Sequence, residues 1–173
     1  MMTARQEEAD PAGYAAVAGV TGTALATAWQ RIEHYIAWRF TPREVVWRVL
    51  SDGGEWLAPL APVVSLVASV GGETPYEPER GPMGGWMLPS GIVTATASVG
   101  AGPVPAAVAE AVKRLADYMA ADSVLPAGAR SYSANVGQLS ETISADAAHA
   151  GRAMQNSGAA DLLRKYRKVA SWA

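Results

Sequence analysis

Ten of the 21 residues from Gly71 to Gly91 are glycine or proline, and no regular element runs through such a stretch. The glycines stand at 71, 72, 81, 84, 85 and 91, the prolines at 75, 78, 82 and 89. The segment predicts a long loop or the tip of a β-arm, so the chain must fold as pieces on either side of it. Before it, Val45, Trp47 and Val49 alternate with Glu44, Val46 and Arg48, which is the period of a strand. Ser51-Asp52-Gly53-Gly54 then reads as a tight turn, and Val63 to Val70 as a second strand. After the loop, Ile92 to Val99 alternates again and is expected to pair back onto the sheet.

Helical periodicity flanks this β-rich middle. From Ala12 to Arg39, Leu25, Trp29, Ile32 and Ile36 recur on one face. Gly13, Gly19 and Gly22 weaken the first half of that helix, each by about 1 kcal/mol relative to alanine. Pro42 ends it by disfavouring helix at Thr41. Val104, Val108, Val112, Leu115 and Met119 mark a second helix to Ala121, with Pro105 in its first turn. A Pro126-Ala127-Gly128 turn, an extended strand or arm at Ser131–Ser144 and a short helix at Asp146–Gln155 follow. Ser157 then caps a terminal helix whose apolar face is Leu162, Leu163, Tyr166 and Val169. The expected fold is α+β but mainly α: a small helical bundle with a β-hairpin or small antiparallel sheet, a long projecting loop, and an extended C-terminal arm ending in a helix. Residues 1–130 form the expected body, with a β-rich insertion at 43–99, and residues 131–173 the arm.

Composition narrows the function classes. There is no cysteine, hence no disulfide framework, thiol nucleophile or Cys-based zinc site. Only 17% of residues are charged, below the roughly 25% of an average soluble domain, which argues that a partner or further copies cover some surface. The net charge of -2 makes a strongly basic nucleic-acid binder a poor expectation. The first ten residues lack the basic start of a signal peptide. Pro11 to Gln30 is uncharged but built from Ala, Gly and Thr, too weakly apolar for a membrane span.

Few residues suggest chemistry. His34 and His149 are not in metal-ligand spacing, and Gly19-Val20-Thr21-Gly22-Thr23 lacks the lysine of a phosphate loop. Glu73, Glu77 and Glu79 read as a solvated loop face. No catalytic, cofactor-binding or metal-binding residue is expected, and the chain does not read as an enzyme. Tyr76, Met83, Trp86 and Met87 give the Pro/Gly loop apolar side chains to bury against a neighbouring or tail-side component. Arg164, Lys165, Arg167 and Lys168 against Asp161 give the last stretch a charge of +3, leaving -5 on the remainder.

Three stretches resemble the head–tail connector (adaptor) proteins of long-tailed bacteriophages and gene transfer agents. Ile32-Glu33-His34-Tyr35-Ile36-Ala37-Trp38-Arg39-Phe40 is similar to the family's "IE-x-Y" helix end. Trp56 to Val70 resembles its segment of spaced prolines leading into a Val/Ser strand. Val93 to Gly100, then Val104-Pro105 and Ala111 to Leu115, resembles its next strand, glycine and helix. Ser157-Gly158-Ala159-Ala160-Asp161-Leu162-Leu163 is similar to the tails of some adaptors of gene transfer agents. The resemblance implies a structural protein of the virion neck, assembled in the host cytoplasm. It implies a homo-oligomeric ring, usually of about twelve copies, between the portal protein and a stopper or tail-terminator protein. Duplex DNA would pass through the ring without specific binding, with no membrane and no cofactor involved. Leu162, Leu163, Arg164, Tyr166, Arg167 and Lys168 would then bind the portal. Another neck or tail-completion protein is the nearer alternative, and a small enzyme with a Pro/Gly-rich lid the distant one.

Overall fold

The computed structural model describes residues 2–121, 131–136, 139–144 and 151–167, the stretch between 131 and 144 by backbone alone. The elements are β1 (Met2–Glu8), α1 (Gly22–Ile36), β2 (Arg43–Trp56), β3 (Val63–Val70), β4 (Trp86–Val99), α2 (Ala106–Ala121), β5 (Ser131–Val136), β6 (Leu139–Ser144), α3 (Ala153–Asn156) and α4 (Ala159–Leu162). They divide between two compact units. The first holds Met1–Ala15, Glu33–Pro103 and Tyr166–Ala173; the second holds Ala16–Ile32 and Val104–Lys165.

The first unit is built on an antiparallel sheet in the order β1-β2-β4-β3. Its buried face carries Val45, Trp47 and Val49 of β2 against Val93, Ala95 and Val99 of β4, with Leu66 and Ala68 of β3 beside them. Odd-numbered residues of β2 and β4 face the core along this stretch. Farther out the parity reverses, and Trp56, Trp86 and Leu88 are the buried residues. Register does not slip, because Gly54 stays opposite Leu88 and Trp56 opposite Trp86. Both strands therefore turn over together, where Gly53 and Gly54 take φ of 87° and 133° that side-chain-bearing residues rarely adopt. The outer ribbon brings Trp56 edge-on to Trp47, with ring centroids 5.3 Å apart. Each indole N–H then needs a partner. Trp47 Nε1 donates to Gln6 Oε1 at 2.8 Å and Trp56 Nε1 to Thr3 Oγ1 at 3.2 Å, which ties β1 to the tryptophan pair.

In the second unit, Ala28, Trp29 and Ile32 are the buried residues of its share of α1. Val108, Ala111, Val112, Leu115 and Ala116 are those of α2. Helices α3 and α4 pack on α2, and they bury Ala153, Ala159 and Leu163. Asn156 Nδ2 donates to the Tyr118 hydroxyl at 2.9 Å, which fastens the end of α3 to α2. Strands β5 and β6 pair antiparallel, from Ser131 opposite Ser144 to Val136 opposite Leu139.

The expectation of a mainly α fold is overturned, since the four-stranded antiparallel sheet and its companions outweigh the helices. Three local differences account for this. Residues 12–21 are not helical, and α1 begins only at Gly22, in line with the glycines that weaken that half. Ser51–Gly54 is not a turn, because Ser90 and Gly91 pair with Asp52 and Ser51 and carry the strand through. The 71–91 loop ends at Gly85, because Trp86 already begins β4. The terminal helix is also shorter than expected: its N-cap is Gly158, with φ 73°, and not Ser157, and after Leu162 it gives way to a 3-10 turn over Arg164–Tyr166. The expected Pro126-Ala127-Gly128 turn, with its body–arm boundary, and Asp146 to Ala150 lie outside the described residues.

Candidate functional site

Pieces of three stretches that carry the family resemblance, Ala37–Arg39, Ala61–Pro62 and Gly100, meet at one joint of the first unit. α1 ends on Ala37, which takes a left-handed φ of 54°. Its carbonyl accepts the Ala61 amide at 3.1 Å, and the Ala61 carbonyl accepts the Arg39 amide at 2.7 Å. The Ala61–Pro62 peptide bond is cis. The Pro62 carbonyl accepts the Gly100 amide at 3.0 Å. Gly100 has a φ of 104°, and a Cβ there would lie 2.5 Å from the Thr41 carbonyl oxygen. Glycine alone satisfies both the conformation and the close approach. Helix end, proline link and strand end are thus laced together by backbone bonds.

A buried ionic cluster locks the same joint. Arg39, fully buried, donates Nε and Nη2 to the two Glu8 carboxylate oxygens at 2.5 and 2.8 Å, and Nη1 to the Glu33 carbonyl at 2.5 Å. Arg43 donates to Glu8 at 3.0 Å and to Glu33 Oε2 at 2.6 Å. The other Glu33 oxygen accepts the Phe40 amide at 2.9 Å. Two guanidinium and two carboxylate groups leave the cluster neutral, and its bidentate geometry is the kind that can offset desolvation. Burial alone would push the Glu8 carboxyl up; the hydrogen bonds and charges of Arg39 and Arg43 outweigh it and hold Glu8 below the ordinary carboxylate range. The cluster is built to hold β1, α1 and β2 together. The sequence marks neither carboxylate: Glu33 is only one residue of the stretch that resembles the family, and the partners of Glu8 are 31 and 35 residues away.

The second feature is the ribbon tip. The Glu55 carboxylate accepts the Met83 amide at 2.9 Å and the Gly85 amide at 2.6 Å, so the Gly81–Gly85 turn is wound around one side chain. Met83 stands on that turn, 72% exposed, and Met87 is exposed nearby. Trp86 is buried, with the Arg80 guanidinium 3.5 Å from its ring centroid. Tyr76 lies apart from them, bonded through its backbone to Ala68 on β3. Of the four loop residues, Tyr76, Met83 and Met87 therefore face outward, while Trp86 serves the core.

The tail residues are divided too. Leu163 is fully buried in its own chain and supports α4. Leu162 and Tyr166 are half-buried, and Arg164 and Arg167 are exposed. Arg164 lies 3.6 Å from Asp161, and the Arg167 guanidinium lies 5.3 Å from the centre of the Tyr35 ring. Lys168 and Val169 lie outside the described residues. His34 is exposed, and His149 also lies outside the described residues. Among the described residues no three His, Cys, Asp or Glu side chains gather as a metal site, and no helix is long and apolar enough to cross a membrane. No family model and no curated protein matches the chain.

Proposed function

We propose that this chain is a structural adaptor of a virion neck, forming a ring between a portal protein and a stopper or tail-terminator protein, with duplex DNA passing through its lumen. The observation that carries the reading is the joint at Ala37, Ala61–Pro62 and Gly100. Ala37–Arg39, Ala61–Pro62 and Gly100, one piece from each of three stretches that resemble the family, are bonded to one another there, which supports reading those pieces as one structural element. The ribbon tip, with Met83 held out by Glu55, supports a contact on the tail side. The resemblance assigns portal binding to Leu162, Arg164, Tyr166, Arg167 and Lys168, whereas Leu163 is fully buried in its own chain and supports α4.

Electron microscopy of the purified full chain mixed with a purified portal ring tests this. The expected result is an added ring of density coaxial with the portal, with one copy per portal subunit. Portal particles with no added density would overturn the reading. Bound copies that sit only on a stopper, away from the portal, would favour the other neck proteins.

A further inference from the structure

Tyr35 stands in the last turn of α1, half-buried, and belongs to the same unit as the chain from Tyr166 onward. The Arg167 guanidinium lies over its ring, 5.3 Å from the centroid. That is within the roughly 6 Å over which an aromatic face attracts a cation. The same position sets the charge near the C-terminal end of α1, where the helix dipole is negative. Arg167 is nevertheless exposed, so a competitor for the guanidinium can reach it. Arg164 is held just as loosely, 3.6 Å from Asp161 with both side chains mostly in water. The two arginines that the resemblance assigns to the portal are thus already engaged, each by a weak contact at the surface of its own chain.

Such a contact is strong enough to bias the tail and weak enough to be displaced. An exposed cation–π pair favours the closed arrangement by about two- to fivefold. A partner that needs the guanidinium then binds more weakly by that factor, because only the released fraction is competent. A portal carboxylate offers Arg167 charge-assisted, bidentate hydrogen bonds that the Tyr35 ring does not, so the exchange runs toward the portal once the two meet.

We propose that Tyr35 is a latch for the tail: it holds Arg167 on α1 in the unattached subunit and yields it to a portal carboxylate on docking. The inference rests on the portal reading and adds the regulation of that same surface.

Tyr35→Leu and Tyr35→Phe, each made in the full chain, test the latch with two readouts. Leucine keeps apolar bulk and helix propensity but removes the ring, whereas phenylalanine keeps the ring. In the free chain, tryptic cleavage after Arg167 is expected to be about two- to fivefold faster in Tyr35→Leu and unchanged in Tyr35→Phe. Cleavage after Arg114, on the packed α2, is expected to be equal in all three chains, which separates release of the tail from loosening of the fold. Co-sedimentation with a purified portal ring is expected to tighten by the same factor in Tyr35→Leu alone. Equal cleavage after Arg167 in the three chains overturns the latch, as does a rise matched after Arg114. Faster cleavage after Arg167 with weaker portal binding makes Tyr35 itself a portal contact and overturns the exchange. Faster cleavage with no portal binding by any of the three, the natural chain included, overturns the portal reading and the exchange with it, while the Arg167–Tyr35 contact stands.

Discussion

The Glu8 carboxylate holds both Arg39 and Arg43, whereas the Glu33 carboxylate holds Arg43 and meets Arg39 only through its backbone carbonyl, so their removal should be felt differently. Glu33 and Arg43 are both buried, so Glu33→Ala leaves a guanidinium without half of its compensation. Loss of one partner from a buried pair is worth about 3–5 kcal/mol, and a denaturant titration should show a destabilisation of that order. Glu8 is 17% exposed, and its effect is better read through pH. Its carboxyl is held below its ordinary value, so the folded state binds this proton less readily than the unfolded chain does. The stabilisation is therefore fully present above the unfolded value of about 4.3 and is lost as pH falls through the lower folded value. Glu8→Gln should be less stable than the natural chain at neutral pH, and its acid unfolding curve should be flatter below about pH 4.3. Equal acid slopes for the two chains would remove Glu8 from the cluster's energetics. Glu33 stood in the sequence only as part of the stretch that resembles the family, with nothing to mark it as buried or paired. Glu8 was not legible either, because a carboxylate in a charged, alternation-poor opening stretch carries no local mark of a guanidinium two elements away.

Elements were legible where side-chain period and backbone chemistry agreed. The stripe Trp29, Ile32 and Ile36 is the buried face of α1, and Leu115 lies fully buried in α2 as its helical spacing requires. Leu115→Ala should cost about 2–5 kcal/mol in denaturant titration, because the cavity it leaves is closed on all sides. Where Gly and Pro were dense the reading failed, for a physical reason. Glycine marks a turn locally, but it also permits the abrupt twist by which β2 and β4 reverse their faces, and only the partner strand decides between the two. Trp86 and Leu88 were placed in a loop because Pro89 and Gly91 hid the strand, whereas pairing with β2 supplies the bonds that composition seemed to deny. The charged start of the chain concealed β1 in the same way, since what holds it is non-local: the ladder to β2, the Trp47 and Trp56 indoles and the Glu8 ion pairs. At the ribbon tip the governing group is Glu55, whose carboxylate organises the Gly81–Gly85 turn. Glu55→Ala should speed amide hydrogen exchange at Met83 and Gly85 by about tenfold, as expected if each loses roughly 1.4 kcal/mol of protection, while exchange in β2 near Trp47 stays unchanged. Unaltered exchange at Met83 would mean that the turn holds itself.

For the whole molecule, the question is where the tail stops serving its own fold and becomes available to a partner. Ala159 and Leu163 are fully buried, and α4 packs on α2, so the chain through Leu163 belongs to the second unit's core. Truncation after Asn156 would strip that contact, and losing one buried leucine alone is worth about 2–5 kcal/mol. Such a variant would fail to bind a portal for the uninformative reason that its own packing is damaged. The informative cut falls after Arg167. It spares Leu163 and the Arg167–Tyr35 contact while removing Lys168 to Ala173. Arg164→Glu is its companion, because Arg164 is exposed and its 3.6 Å approach to Asp161 is a surface pair worth at most about 1 kcal/mol. Arg164→Glu should therefore melt within a few degrees of the natural chain. Co-sedimentation with a portal ring should nevertheless weaken in both variants, and the charge reversal should matter most at low salt, where exposed charges are least screened. A chain cut after Arg167 that co-sediments with unchanged affinity would show that portal attachment does not use residues 168–173. If Arg164→Glu were also without effect at every salt concentration, the basic side chains would be left with the lesser task of offsetting the -5 carried by the rest of the chain.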